Sequence, residues 1–183
     1  LLYFKYIVQA LPLGISFYTF MAISCGVDIY YGKASIGSFA EFGAYLTMFP
    51  KLVQGPIVQY RDIKTQLKER SVSWTKMENG LEEFVIGLAF KTMIADKIAI
   101  LWNDVRMIGF DSISTPMAWL GAMAFSMELY FDFWGYSIMA VGLGKMMGFD
   151  LPQNFDHPYA SATVSEYYRR WDITLGKWFR DYV

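Results

Sequence analysis

The chain has 183 residues, with 16 Lys+Arg against 17 Asp+Glu and a formal net charge of −1. That balance excludes nucleic-acid binding as the main function, because neutralising phosphates needs an excess of clustered cations. Hydrophobic residues at 55% and aromatics at 19% exclude a disordered chain, and a single cysteine (Cys25) and a single histidine (His157) exclude a disulfide framework and a multi-Cys or multi-His metal site.

Mean hydropathy is only +0.26, but it is unevenly spread. Long apolar runs alternate with short charged segments that contain Pro or Gly. This pattern suits an all-α, polytopic transmembrane protein with short re-entrant and interfacial helices. A soluble helical domain is the disfavoured alternative. The chain starts at Leu1, already apolar, and ends at Val183 without a polar tail. It is therefore expected to be an internal piece of a longer protein, with no cleavable signal peptide.

The first apolar stretch covers residues 1–29. Pro12 is expected to start or kink a helix there, and residues 13–29 form a plausible span. Asp28, Tyr30 and Tyr31 mark its interfacial end. Ser38-Phe39-Ala40-Glu41 is a capping box. The short helix that follows stops at Phe49, because Pro50 breaks it. With Lys51, Gln54, Gly55 and Pro56 it reads as a re-entrant or cavity-lining element, since irregular backbone at membrane depth needs protein or water around it.

Residues 59–76 are hydrophilic and cation-rich, and read as a loop on the cytoplasmic side, or as an ordinary solvated loop on either side. Thr75-Lys76-Met77-Glu78 is a second capping box, opening a helix to about Trp102. Lys91, Asp96 and Lys97 interrupt it and should face protein, water or the interface. Ser114-Thr115-Pro116 is a strong helix start. The apolar segment after it runs to Met147 and ends at Gly148. Glycines within it suggest a kinked helix, or two helices meeting near Gly135.

Residues 149–158 read as a loop. Thr163-Val164-Ser165-Glu166 is a third capping box. The helix it opens places Tyr168, Trp171, Leu175, Trp178, Phe179 and Tyr182 on one face, with Arg169, Arg170, Lys177 and Arg180 largely elsewhere. Such a helix lies along a membrane interface, or packs on a protein core. No repeat is visible.

Glu128 and Asp132 share a helix face. They form either a proton-handling pair lining a polar cavity, or an ion-pair anchor to Lys91, Lys97 or an Arg of the last helix. Gly142-Leu143-Gly144-Lys145-Met146-Met147-Gly148 departs from G-x-G-x-x-G, and close helix packing explains it better than a phosphate loop. His157 reads as structural or solvated, and Cys25 as an inert buried thiol. Asp172 either pairs with Arg169 on a helix surface or points into a buried site and orients a reacting group.

At these residues the sequence resembles the membrane-bound O-acyltransferase family, in its bacterial alginate O-acetyltransferase branch. The resemblance rests on Leu11-Pro12-Leu13-Gly14-Ile15-Ser16-Phe17-Tyr18-Thr19-Phe20 and Phe49-Pro50-Lys51-Leu52-Val53-Gln54-Gly55-Pro56-Ile57. It continues through Gly87-Leu88-Ala89-Phe90-Lys91-Thr92-Met93-Ile94-Ala95-Asp96-Lys97 and Tyr130-Phe131-Asp132-Phe133-Trp134-Gly135-Tyr136-Ser137. Asn154-Phe155 and Arg169-Arg170-Trp171-Asp172-Ile173-Thr174-Leu175 complete it. The order and spacing of these pieces carry the specificity.

The resemblance implies that residues 1–183 are the N-terminal and central part of one membrane domain, multi-pass in a bacterial inner membrane. It implies acyl transfer, acetyl by default, from a thioester donor to hydroxyls of an exported polysaccharide such as alginate. No bound cofactor or metal is expected. The implied partners are membrane lipid, the donor, the polysaccharide and extracytoplasmic modification proteins. The family's histidine base is expected beyond Val183, so this fragment alone should be inactive; His157 does not match that base.

Asp172 takes a supporting catalytic role in this reading. Lys51, Gln54, Glu128, Asp132, Tyr136, Asn154, Arg169, Arg170, Trp171, Trp178 and Arg180 line the substrate path. Trp171, Trp178 or Arg170 would supply donors to an oxyanion. Two positions depart from the family pattern: Asp172 stands where many bacterial relatives have His, and Ile138 replaces an Asp. The rival reading is a non-enzymatic scaffold or conduit in polysaccharide export.

Overall fold

A computed structural model describes residues 14–109 and 112–183, and every regular element in them is helical. The expected helix start or kink at Pro12, and the first part of the opening apolar stretch, lie outside these residues. The order is α1 (Ile15–Tyr30), α2 (Phe39–Thr47), α3 (Tyr60–Lys68), α4 (Trp74–Ala89), α5 (Asp96–Ile108), α6 (Thr115–Met146), α7 (Val164–Arg170) and α8 (Ile173–Tyr182). Short 3₁₀ turns occupy Phe49–Lys51 and Pro158–Ala160, and a π-helical segment, Phe90–Ala95, joins α4 to α5.

The largest packing unit is the antiparallel pair of α4–π–α5 against α6, and glycines decide how close it is. A Cβ on Gly87 would lie 2.4 Å from the Gly135 carbonyl oxygen, and one on Gly80 would lie 2.7 Å from that of Gly142. These residues repeat every seven positions on each helix, so two matched pairs bring the backbones together. Charge pairs flank the seam. Lys145 Nζ meets Glu83 Oε1 at 2.5 Å, and Lys91 on the π segment pairs with Asp132. The π turn widens the helix where Lys91 must reach α6.

α6 runs unbroken for 32 residues, so of the two expected alternatives the one with two helices meeting near Gly135 does not occur. Gly135 is a contact point, where a Cβ would lie 2.7 Å from the Gly87 carbonyl oxygen. The helix ends as expected: Gly148 adopts φ 85°, and the Phe149 amide donates to the Gly144 carbonyl at 2.8 Å.

A second, smaller core joins α1, α2 and α3 to the end of α6. Met21, Cys25, Tyr45, Met48, Tyr60, Ile63, Val141 and Phe149 are buried in it. Ser38 Oγ accepts from the Glu41 amide at 3.2 Å, the expected cap of α2. The Glu41 carboxylate turns instead toward Tyr60 and Lys68. The expected loop at residues 59–76 contains α3. Its signal was the spacing of Tyr60, Ile63 and Leu67, obscured by the intervening charges. α4 starts two residues earlier than expected, capped by Ser73 and not Thr75: Ser73 Oγ accepts from the Lys76 amide at 3.2 Å.

Among the described residues no helix is long and apolar enough to cross a membrane. The described part of α1 has 16 residues. α6 has the length, but Glu128, Asp132 and Lys145 break up its apolar character.

The expected single helix after Thr163 is two helices. Thr163 Oγ1 accepts from the Glu166 amide at 3.1 Å, as expected, but α7 ends at Arg170 and Asp172 is left-handed at φ 42°. The loop before α7 forces this break. The Ile173 amide donates to the Asn154 carbonyl at 2.9 Å, and the Asp156 amide donates to the Arg170 carbonyl at 3.0 Å. The expected aromatic stripe is therefore split. Trp171 joins a cluster on α6, and Trp178 and Tyr182 pack on α1. Protein therefore covers Trp178, while Tyr168 and Phe179 stay exposed.

Candidate functional site

The expected site residues fall in several places, tied together by one buried junction. At its centre the Thr174 hydroxyl donates to Asn154 Oδ1 at 2.6 Å and accepts from the Ile57 amide at 2.9 Å. Asn154 and Thr174 are buried. This junction holds three segments singled out in the sequence: the turn around Gln54-Gly55-Pro56-Ile57, the Asn154-Phe155 loop and the start of α8. Replacing Thr174 with valine keeps the shape but leaves the Ile57 amide without its acceptor and Asn154 without its donor. A loss of about 2 kcal/mol in unfolding free energy is expected, read as a lower midpoint in thermal unfolding. An unchanged midpoint would mean that water replaces the hydroxyl.

Asp172 sits beside this junction, between α7 and α8. It is half-buried, and burial pushes its carboxyl up to about 6, while the Leu175 backbone amide draws it down. It forms no ion pair with Arg169. Arg169 faces Ser165 Oγ at 3.4 Å instead, and Arg170 holds Glu166 at 2.7 Å and reaches the Asp156 carbonyl at 3.5 Å.

The Trp171 indole packs in an aromatic cluster. Its ring centroid lies 5.0 Å from Phe155, 5.6 Å from Tyr167 and 5.8 Å from Tyr130. Such pairs each add about 1 kcal/mol beyond burial. Sequence reasoning missed Tyr130, Tyr159 and Tyr167 as members of this cluster; their signal was aromatic density alone. Among the expected oxyanion donors, Trp178 and Arg170 are already engaged. Trp178 Nε1 donates to the Phe20 carbonyl at 3.0 Å. The Trp171 indole N–H forms no hydrogen bond among the described residues.

Lys51 does not face an open cavity. It is 0% exposed, its Nζ has no hydrogen-bond partner, and the ammonium lies 3.8 Å from the Tyr45 ring centroid. Gln54 is half-buried in the same turn. Gly55 is required there, because a Cβ would lie 2.5 Å from the Lys51 Cα. Tyr136 lines a small cavity of about 140 Å³ with Phe49, Pro50, Phe84 and Leu143. Asp132 is the ion-pair anchor of the two alternatives, through Lys91, while the neighbouring Glu128 keeps Oε2 enclosed without a hydrogen-bond partner. Arg169 and Arg180 share a separate cleft between α7 and α8 with Lys177, which sequence reasoning placed only on the polar face.

The sequence from residue 28 to residue 183 matches the model of the membrane-bound O-acyltransferase family, MBOAT. The chain belongs to the membrane-bound O-acyltransferase family. Among relatives of this family, it is 42% identical to the probable alginate O-acetylase AlgI of Pseudomonas syringae pv. tomato over 174 residues, 94% of this chain and 33% of that protein. It is 31% identical to the peptidoglycan O-acetyltransferase of Helicobacter pylori over 212 residues, 99% of this chain and 40% of that protein. It is 32% identical to the teichoic acid D-alanyltransferase of Bacillus subtilis over 146 residues, 76% of this chain and 36% of that protein. The chain thus spans between 33% and 40% of the length of these three relatives. The junction at Asn154, Ile57 and Thr174 lies wholly within the matched MBOAT region.

Proposed function

We propose that this chain is part of a membrane O-acyltransferase that moves an acyl group, acetyl in the simplest case, onto hydroxyls of an exported bacterial polysaccharide such as alginate. The observation that carries the reading is the 42% identity to a probable alginate O-acetylase across 94% of the chain. The relatives named for peptidoglycan and teichoic acid share acyl transfer to a cell-surface polymer and differ in acceptor. The location proposed is the bacterial inner membrane, in several passes, with the cation-rich α3 on the cytoplasmic side. Extracytoplasmic modification proteins would act beside it.

The chemistry is a transfer between two oxygen- and sulfur-bound states of one carbonyl. The acceptor hydroxyl attacks the thioester carbon, a C–O bond forms, and the C–S bond breaks. The hydroxyl proton passes to a base and on to the departing thiolate. In this chain the half-buried Asp172 carboxylate orients the reacting groups, and the unengaged Trp171 N–H is the available oxyanion donor. The base belongs to residues outside this chain, so the 183-residue chain alone does not turn over.

The experiment supplies radiolabelled acetyl thioester and unacetylated polymannuronate to the intact polypeptide in membranes, and to the 183-residue chain in parallel. Label transfer by the intact polypeptide alone is the expected result. Transfer by the isolated chain would overturn the assignment of the base. No transfer by either, in membranes that still export polysaccharide, would favour a non-enzymatic scaffold or conduit, the reading that Asp172 in place of His supports.

A further inference from the structure

The cleft between α7 and α8 is built like an anion site. On α7, Ser165, Tyr168 and Arg169 share one face by their i, i+3, i+4 spacing; on α8, Arg180 lies three residues after Lys177 and four after Gly176. Together they enclose about 560 Å³. Three of the lining side chains are cationic and none is acidic.

Two nearby carboxylates are paired with cations outside the cleft, while Asp172, between the two helices, forms no ion pair among the described residues. Glu166 pairs with Arg170 at 2.7 Å, and Asp181 with Arg61 at 3.1 Å. Lys177 shares its charge with Asp62 at 3.1 Å. Arg169 and Arg180 form no ion pair among the described residues. Two unpaired guanidinium groups and an ammonium around one cleft repel one another, and an anion seated between them relieves that repulsion. Guanidinium forks match phosphate oxygens in pairs.

The shape agrees with the charge. Gly176 leaves the floor open: a Cβ there would meet its nearest atom, the Tyr168 carbonyl oxygen, only at 3.9 Å. The Tyr168 ring is 67% exposed at the wall and offers an apolar face beside the cations. A cleft of this size accepts more than a lone inorganic ion.

We propose that this cleft binds phosphate esters, seating phosphoryl groups between Arg169, Lys177 and Arg180. Two sources present that chemistry: a phosphate-bearing thioester donor, and the headgroup of an anionic phospholipid. The first source rests on the acyl-transfer reading; the binding itself does not.

The test uses the intact polypeptide in phosphatidylcholine nanodiscs. Coenzyme A, inorganic pyrophosphate and short-chain phosphatidylglycerol are titrated separately, and binding is read directly without turnover. Arg180→Gln and Arg169→Gln are each expected to weaken binding roughly tenfold, and added salt should weaken it further. Gly176→Leu fills the cleft while removing no charge. It should weaken binding comparably without lowering the unfolding midpoint, because leucine favours helix over glycine.

Loss of coenzyme A and pyrophosphate binding in the variants supports the donor as the source. Loss of phosphatidylglycerol binding alone supports the headgroup. Absence of binding by all three probes to the unsubstituted protein would overturn the proposal, and so would binding that none of the variants weakens. Either of those results leaves acyl transfer, measured independently, untouched.

Discussion

Replacing Asp172 with glycine is expected to lower acyl transfer by the intact polypeptide by at least about 100-fold while making the protein more stable. The two effects separate because the backbone and the carboxyl do different things. Asp172 is held at φ 42° and ψ 59°, a region that side-chain-bearing residues occupy at a cost. The amides of Ile173 and Asp156 and the carbonyl of Asp172 itself, which accepts from the Gly176 amide at 3.0 Å, keep it there. Glycine adopts this conformation freely, so the substitution should add about 1 kcal/mol, or a few degrees in unfolding midpoint. Asp172→Ala should also abolish turnover, with expression retained, but without that gain. A residue that merely capped α8 would lose stability and keep activity, the opposite pattern.

The pH dependence of Asp172 has a definite sign. Burial raises its carboxyl from 3.8 to about 6, so the folded state holds this proton more tightly than the unfolded chain. The contribution to stability is fully present below pH 4 and is lost as pH rises through about 6. Transfer runs the other way: if the ionised carboxylate orients the site, the rate rises through the same interval. Asp172→Asn should flatten both profiles. A wild-type rate that falls as pH rises through this interval would show that the protonated acid is the working form.

Gly87→Leu should be strongly destabilising on the α4–α6 seam. Its Cβ alone would sit 2.4 Å from the Gly135 carbonyl oxygen and 2.8 Å from the Met139 backbone nitrogen. Backbone cannot yield as a flexible side chain does, so the helices must separate, weakening the Lys91–Asp132 and Glu83–Lys145 pairs as well. A loss of about 3 kcal/mol or more is expected, appearing as a midpoint lower by roughly 10 °C. Gly43→Ala is the matched control. Nothing lies within 4 Å of a Cβ there, and alanine in a helix should gain roughly 0.5–1 kcal/mol. Equal effects at the two positions would mean that helix propensity, not close approach, governs the seam.

Much of the helical architecture was legible without coordinates, because its signals are local. Ser38 and Thr163 announce their helices through hydroxyls that reach amides three residues on. Gly148 announces the end of α6 through a conformation that glycine adopts without strain. The assignment to the O-acyltransferase family was also carried by residue order alone. Helix α3 was hidden because charges interrupt its apolar spacing, and the π segment because nothing in a short apolar run distinguishes an i+5 bond from an i+4 bond.

The candidate site was legible only as a set of names. The amino-acid sequence by itself determined the helical class, the small-residue positions on α4 and α6 and the family. The tertiary structure alone decided that Gly87 meets Gly135, that Asp132 pairs with Lys91 rather than with Arg, and that Trp178 is taken up by Phe20. It alone showed that Asn154, Ile57 and Thr174 form one junction and bend the chain at Asp172. Those outcomes join residues up to 158 positions apart. Local propensity acts over one or two turns, whereas a hydrogen bond or an ion pair depends on distances that only the folded chain sets.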